Sequence, residues 1–209
     1  MCVRGGYGTV RIIDRLDFYK FLQKPKWIVG YSDVTVLHAK MQSLGIESLH
    51  ATMPINFQDN SKQALDTLFD ALCGKEIKYD LPQQTLDILS KMKGEVVGGN
   101  ISVLYSLLGS DIFPDVEGKV LFLEDLDEYL YHIDRMMMAF QRAGIFDKIS
   151  GLIIGGLTKM HDNAIPFGMT AEEIISEKIK DKNIPTVFNF PAGHINDNRA
   201  IILGRRVGN

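Results

Sequence analysis

Ser32 stands at the end of a short apolar run, KWIVG-Tyr31-Ser32-Asp33, and VTVLHAKMQS follows it at once with helical spacing. A strand that ends on a serine, with a helix starting directly behind it, lifts the hydroxyl into a cleft. It also aims the first helical N–H groups at a negative oxygen, which is the layout of a nucleophile elbow. Gly30 leaves room for the sharp turn, whereas Val34 occupies the place where the GxSxG pattern has its second glycine. Serine is also among the most favoured helix N-caps, and on shape alone that role outweighs the nucleophilic one for Ser32.

Other segments carry weaker signals. RGGYG (Arg4 to Gly8) follows an apolar strand end and precedes a helix, so its bare main-chain N–H groups can approach a phosphate or an oxyanion. It lacks the GK[ST] of a phosphate loop, and a plain tight turn explains it equally well. LFLEDLDE (121–128) sets carboxylates just after a strand, a common place for catalytic acids, although such clusters more often start helices or face solvent. PAGH puts His194 in a turn after a strand; a loop histidine is usually only exposed. His38 reads as structural or surface, and nothing in the sequence marks His132 or His161 as a base.

Positioning these groups requires alternating strands and helices, hence an α/β class. Residues 12–22 read as a helix, 26–30 as a buried strand and 33–43 as a helix that Gly45 can end. Ser61 can cap a helix over 62–73, with Gly74 as its stop. The polar stretch 75–93 contains Pro82 and lacks a strong period, so it reads as a linker between a unit at 1–74 and a second at 94–209. In the second unit, GEVVGG (94–99), KVLFLE (119–124), LIIGG (152–156), TVFNF (186–190) and AIILG (200–204) read as strands. Asn100 caps a helix reaching about 108, and IDRMMMAFQRAG (133–144) is amphipathic with a glycine stop.

Bulk composition narrows the function classes. The chain has 209 residues, 45% of them hydrophobic, and a formal net charge of −3. No basic field suggests nucleic acid or anionic lipid as partner. No apolar run approaches the roughly 20 residues of a membrane-spanning helix. The first residues lack the charged and apolar regions of a signal peptide, and Cys2 and Cys73 are the only cysteines, so a reducing cytoplasm is the default. The five histidines form no HxH or HExxH cluster, so neither a metal nor a cofactor is expected.

Taken in order, RGGYG, PKWIVGYSDVTVLH, GGNISVLYSLLGS, GKVLFLEDLDEYLYHIDRMM and FPAGH resemble the LD-carboxypeptidase family over nearly the whole chain. The resemblance implies a serine peptidase that cleaves a peptide bond between an L-centre and a terminal D-residue, releasing D-Ala from muropeptide tetrapeptides. It raises Ser32 from probable cap to nucleophile, with His194 as base and Glu124 orienting it. Main-chain N–H groups of Gly6 and Asp33 would form the oxyanion hole, and Arg4 and Asn100 would meet the charged groups of the substrate. Glu128 is the rival carboxylate.

The implied fold is a parallel-sheet α/β N-terminal domain and a smaller, β-rich C-terminal domain, with the site between them, commonly in a homodimer. Family members carry a further stretch before RGGYG. Its absence predicts an incomplete N-terminal sheet with an unpaired edge, and poor solubility or a dimer burying that edge. Three alternatives remain open: a non-catalytic muropeptide-binding remnant, a hydrolase of microcin-type aminoacyl-nucleotide conjugates, and, more distantly, a nucleotide-binding protein using RGGYG.

Overall fold

A computed structural model describes residues 1–208. The first half opens with α1 (Thr9–Ile12), a 3-10 turn at Ile13–Arg15 and α2 (Tyr19–Gln23). The single helix expected over 12–22 is thus broken. Leu16 is extended (φ −80°, ψ 125°), and the Asp17 carboxylate accepts the Tyr19 N–H at 2.8 Å, a local side-chain turn that competes with helix continuation. β1 (Val29–Gly30) then leads through a 3-10 turn, Ser32–Val34, into α3 (Thr35–Ser43), and β2 (Ser48–His50) follows. α4 (Lys62–Leu72) starts as expected, with the Ser61 hydroxyl accepting the Ala64 N–H at 3.0 Å.

The stretch read as a linker holds α5 (Gln83–Leu89). Tyr79, just before it, is tied in by its hydroxyl, which donates to the Ala200 carbonyl at 2.7 Å. Next come β3 (Gly94–Asn100), α6 (Ile101–Leu107), β4 (Val120–Leu126), α7 (Leu130–Arg142) and α8 (Ile145–Lys148). β5 (Gly151–Thr158), α9 (Ala171–Ile179), β6 (Thr186–Val187), β7 (Ile201–Leu203) and β8 (Arg206–Val207) complete the order. The strand expected over 186–190 stops early because Asn189 is left-handed, at φ 55°.

Two sheets result, and the α/β class with parallel pairing holds. One has the order β1-β2-β7, with β1 and β2 parallel and β7 antiparallel. The other, the larger here, has the order β6-β5-β4-β3-β8, parallel except for the β8 edge. The strands β7 and β8 lie in one short segment of chain and pair with different sheets, stitching the two halves together.

Strand alternation decides what each face of the larger sheet carries. Leu121 and Leu123 of β4 and Leu152 and Ile154 of β5 pack with Ile133, Met137 and Phe140 of α7 and Ile174 and Ile175 of α9. Val120, Phe122 and Ile153 point the other way, into a core with Ile201 and Leu203 of β7. Glu124 shares the parity of Val120 and Phe122, so its side chain faces the first half of the molecule. Asp125 is directed to the opposite face. Among the described residues, no helix is long and apolar enough to cross a membrane.

Candidate active site

Ser32 follows β1, Glu124 lies near the end of β4, and His194 follows β6. All three sit at or just beyond the carboxyl ends of parallel strands, where crevices open in α/β sheets. Ser32 has φ +64°, a left-handed conformation that costs a non-glycine residue about 1–2 kcal/mol. The N-cap position of the turn behind it belongs to Tyr31, and Ser32 is the first residue inside that turn. The capping role favoured on shape alone is therefore not what this serine does, and the strained turn presents its hydroxyl instead. Gly30, at φ 155°, is the residue the elbow needs, since a Cβ there would lie 2.8 Å from a Val34 methyl.

Behind the elbow, buried His38 bridges Gly30 and Ser48. Its Nε2 meets the Gly30 carbonyl and its Nδ1 the Ser48 hydroxyl, each at 2.9 Å. A carbonyl only accepts, so Nε2 carries the proton. Burial pushes this imidazole down to about 3, and it stays neutral as a structural brace. Asp33 ties the elbow to the glycine loop: its carboxylate accepts the Thr9 N–H at 3.1 Å and the Thr9 hydroxyl at 2.6 Å. The loop is held further by the Cys2 N–H, which donates to the Val29 carbonyl at 2.8 Å.

Ser32, His194, Arg4, Gly6, Tyr31 and Asn56 line one open cavity of about 240 Å³. The Tyr31 ring stands edge-on to the His194 imidazole, 4.7 Å between centroids, and its hydroxyl donates to Asn56 at 3.0 Å. His194 is anchored from below. Nδ1 lies 2.6 Å from Oε2 of Glu124, and its main-chain N–H donates to the same oxygen at 3.2 Å. A proton on Nδ1 facing a carboxylate leaves Nε2 as the basic nitrogen.

Gly193 makes that approach possible. At φ 108° its absent Cβ would sit 2.7 Å from Glu124 Oε2, so a side chain there would occupy the carboxylate's place. Burial alone would raise the Glu124 carboxyl, but the His194 hydrogen bond and the nearby His50 imidazole outweigh it and hold the group down at about 2.

The other acids of the LEDLDE run go elsewhere. Glu128 pairs with Nδ1 of His132 and Asp127 with Nε2 of His161, each at 2.6 Å. Asp125 is buried near the start of α6, accepting from the Asn100 amide at 2.8 Å and the Ser102 N–H at 2.9 Å. Burial and the neighbouring Glu124 carboxylate push its carboxyl up to about 7. Asn100 does not reach the cavity. It is buried, its amide nitrogen is given to Asp125, and its oxygen caps α6 by accepting the Val103 N–H at 3.1 Å.

Three participants escaped the sequence analysis: the Asp33 tether, the Tyr31 wall and His50, whose Nε2 is 4.0 Å from Oε1 of Glu124. The last had one available signal, a histidine at the end of an apolar SLH strand preceding a proline turn.

Residues 1–51 match the profile of the LD-carboxypeptidase N-terminal domain, and residues 93–208 that of the LD-carboxypeptidase C-terminal domain. A putative carboxypeptidase of Synechocystis sp. is 31% identical over 99% of this chain and 67% of its own length. A probable murein peptide carboxypeptidase of Bacillus subtilis is 32% identical over 99% of this chain and 66% of its own. The chain thus spans about two thirds of the length of these curated relatives. Among solved structures, a muramoyltetrapeptide carboxypeptidase from Oxalobacter formigenes superimposes with a TM-score of 0.83 at 29% identity, covering 98% of this chain and 72% of that one.

Proposed function

The chain belongs to the LD-carboxypeptidase family, and from that footing we propose that it is a serine carboxypeptidase that removes the terminal D-Ala of muropeptide tetrapeptides. The observation that carries the reading is the anchored imidazole of His194, on Glu124 at 2.6 Å, in the same cavity as the left-handed Ser32.

In the proposed reaction, Ser32 Oγ attacks the carbonyl carbon of the L,D-peptide bond while His194 Nε2 takes its proton. Negative charge grows on the carbonyl oxygen, where the N–H groups of Gly6 and Asp33 would receive it. His194 then protonates the departing amine of D-Ala. A water, activated by the same imidazole, releases the acyl group from Ser32. Glu124 keeps the proton on Nδ1 and offsets the imidazolium charge as it forms. Arg4 lines the cavity and would pair with a substrate carboxylate. The free thiols of Cys2 and Cys73 suit a reducing cytoplasm, and a homodimer is the assembly we expect.

The test is mass spectrometry of a disaccharide-tetrapeptide incubated with purified protein, alongside an aminoacyl-nucleotide conjugate. Loss of one alanine, abolished by Ser32→Ala, supports the reading. An intact tetrapeptide with active protein on the conjugate overturns it.

A further inference from the structure

The proposed triad uses only one of the two oxygens of Glu124. Oε2 serves His194, while Oε1 has no hydrogen-bond partner among the described residues, although the side chain is 0% exposed. The nearest complementary atom is Nε2 of His50, at 4.0 Å. His50 is equally buried, and neither of its ring nitrogens has a partner among the described residues. An unpaired buried polar atom is costly, and more so when charged, so this juxtaposition calls for a closer contact. A side-chain movement of about 1 Å brings the pair within hydrogen-bonding distance.

His50 is well held for such a role. It sits on the central strand of its sheet, paired with Gly30 on one side and Ile201 on the other. The Phe122 ring packs edge-on against the imidazole at 4.8 Å. The titratable groups around the pair are His194, Tyr31 and His38, the last two with ring centroids 6.0 Å and 6.3 Å from that of His50. Asp125 is turned to the opposite face of the sheet, toward Asn100 and Ser102.

We propose that His50 is a positioning residue of the peptidase, donating its Nε2–H to Oε1 of Glu124 so that the carboxylate is clamped between two imidazoles and presents Oε2 to His194. This rests on the serine peptidase reading and deepens it. His50 acts through Glu124 and is absent from the cavity wall, so its effect falls on turnover rather than binding. It also draws negative charge away from Oε2. Without it, the Glu124–His194 pair binds a proton more tightly, and the acid limb of kcat/KM moves to higher pH.

The experiment compares His50→Leu and His50→Gln in the full chain, with Ser32→Ala as control. We expect His50→Leu to lower kcat about 10–100-fold, with KM within about twofold. Its acid limb should rise by about half a pH unit or more. His50→Gln keeps an N–H donor and should recover most of kcat. Should His50→Leu not fold, downfield proton NMR of the wild type decides: two imidazole N–H signals, both lost in Glu124→Gln, support the clamp, and a single one overturns it. A folded His50→Leu with wild-type kcat and acid limb, while Ser32→Ala is inactive, overturns the inference and leaves the peptidase reading standing. If Ser32→Ala retains turnover, the reading itself fails and this inference with it.

Discussion

Nδ1 of His194 and Oε2 of Glu124 lie 2.6 Å apart although 70 residues separate them in the chain. The contact depends on β4 and β6 lying in one sheet with β5 between them, and on a glycine before the histidine.

Ser32→Ala and His194→Ala should each lower turnover by roughly 10⁴ to 10⁶, and the double variant should lose little more, because residues acting in one step do not add. Glu124→Gln should cost less, since the carboxylate orients and stabilises the imidazole without itself reacting. Steady-state kinetics on a tetrapeptide, with circular dichroism to confirm folding, measures all four. Full activity in Ser32→Ala would remove the proposed nucleophile.

Glu128→Gln should change turnover by less than about tenfold, or about 1.4 kcal/mol of barrier. Its carboxylate is already paired with His132 at 2.6 Å. An inactive Glu128→Gln beside an active Glu124→Gln would reverse the assignment of the carboxylate.

Gly5→Ala probes the packing of the glycine loop on the elbow. A Cβ there would lie 3.0 Å from the Ser32 Cβ and 3.2 Å from its Oγ. Either the loop or the serine must yield, so turnover should fall by tenfold or more, on the order of 1.4 kcal/mol, with only a small loss of thermal stability.

Stability should respond to pH through the two adjacent acids in opposite senses. The Glu124 carboxyl lies at about 2 in the folded protein against 4.5 ordinarily, so its contribution is complete above about 4.5 and is lost as pH falls toward 2. Asp125 is raised from 3.8 to about 7, so the folded state holds a proton the unfolded chain has released, and stability declines as pH rises from about 4 to 7. Thermal unfolding between pH 5 and 8 should therefore show a falling midpoint in the wild type and a flatter profile in Asp125→Asn. An equal slope in both would show that Asp125 is not its source.

Activity should survive EDTA. Among the described residues, no group of three or more His, Cys, Asp or Glu side chains could hold a metal ion. Loss of turnover on chelation, restored by zinc, would contradict this.

What the sequence alone determined was local. The Ser61 and Asn100 caps, the stops at Gly45 and Gly144 and the strand GEVVGG depend on neighbours within a turn or two, and each appears where the residues place it. The order of five motifs was enough to identify the family, because such an order is improbable by chance. The break at Leu16–Phe18, the early stop at Asn189 and helix α5 were not legible, since helical spacing and β-propensity are weak against local turns and tertiary packing. Cap and nucleophile share one sequence pattern at Ser32, and only the tertiary structure shows that its φ is +64° and that Tyr31 takes the N-cap position. Only the tertiary structure shows which acid of LEDLDE meets His194. Strand alternation sends Glu124 and Asp125 to opposite faces, and which face holds a histidine depends on chain brought from far away in the sequence.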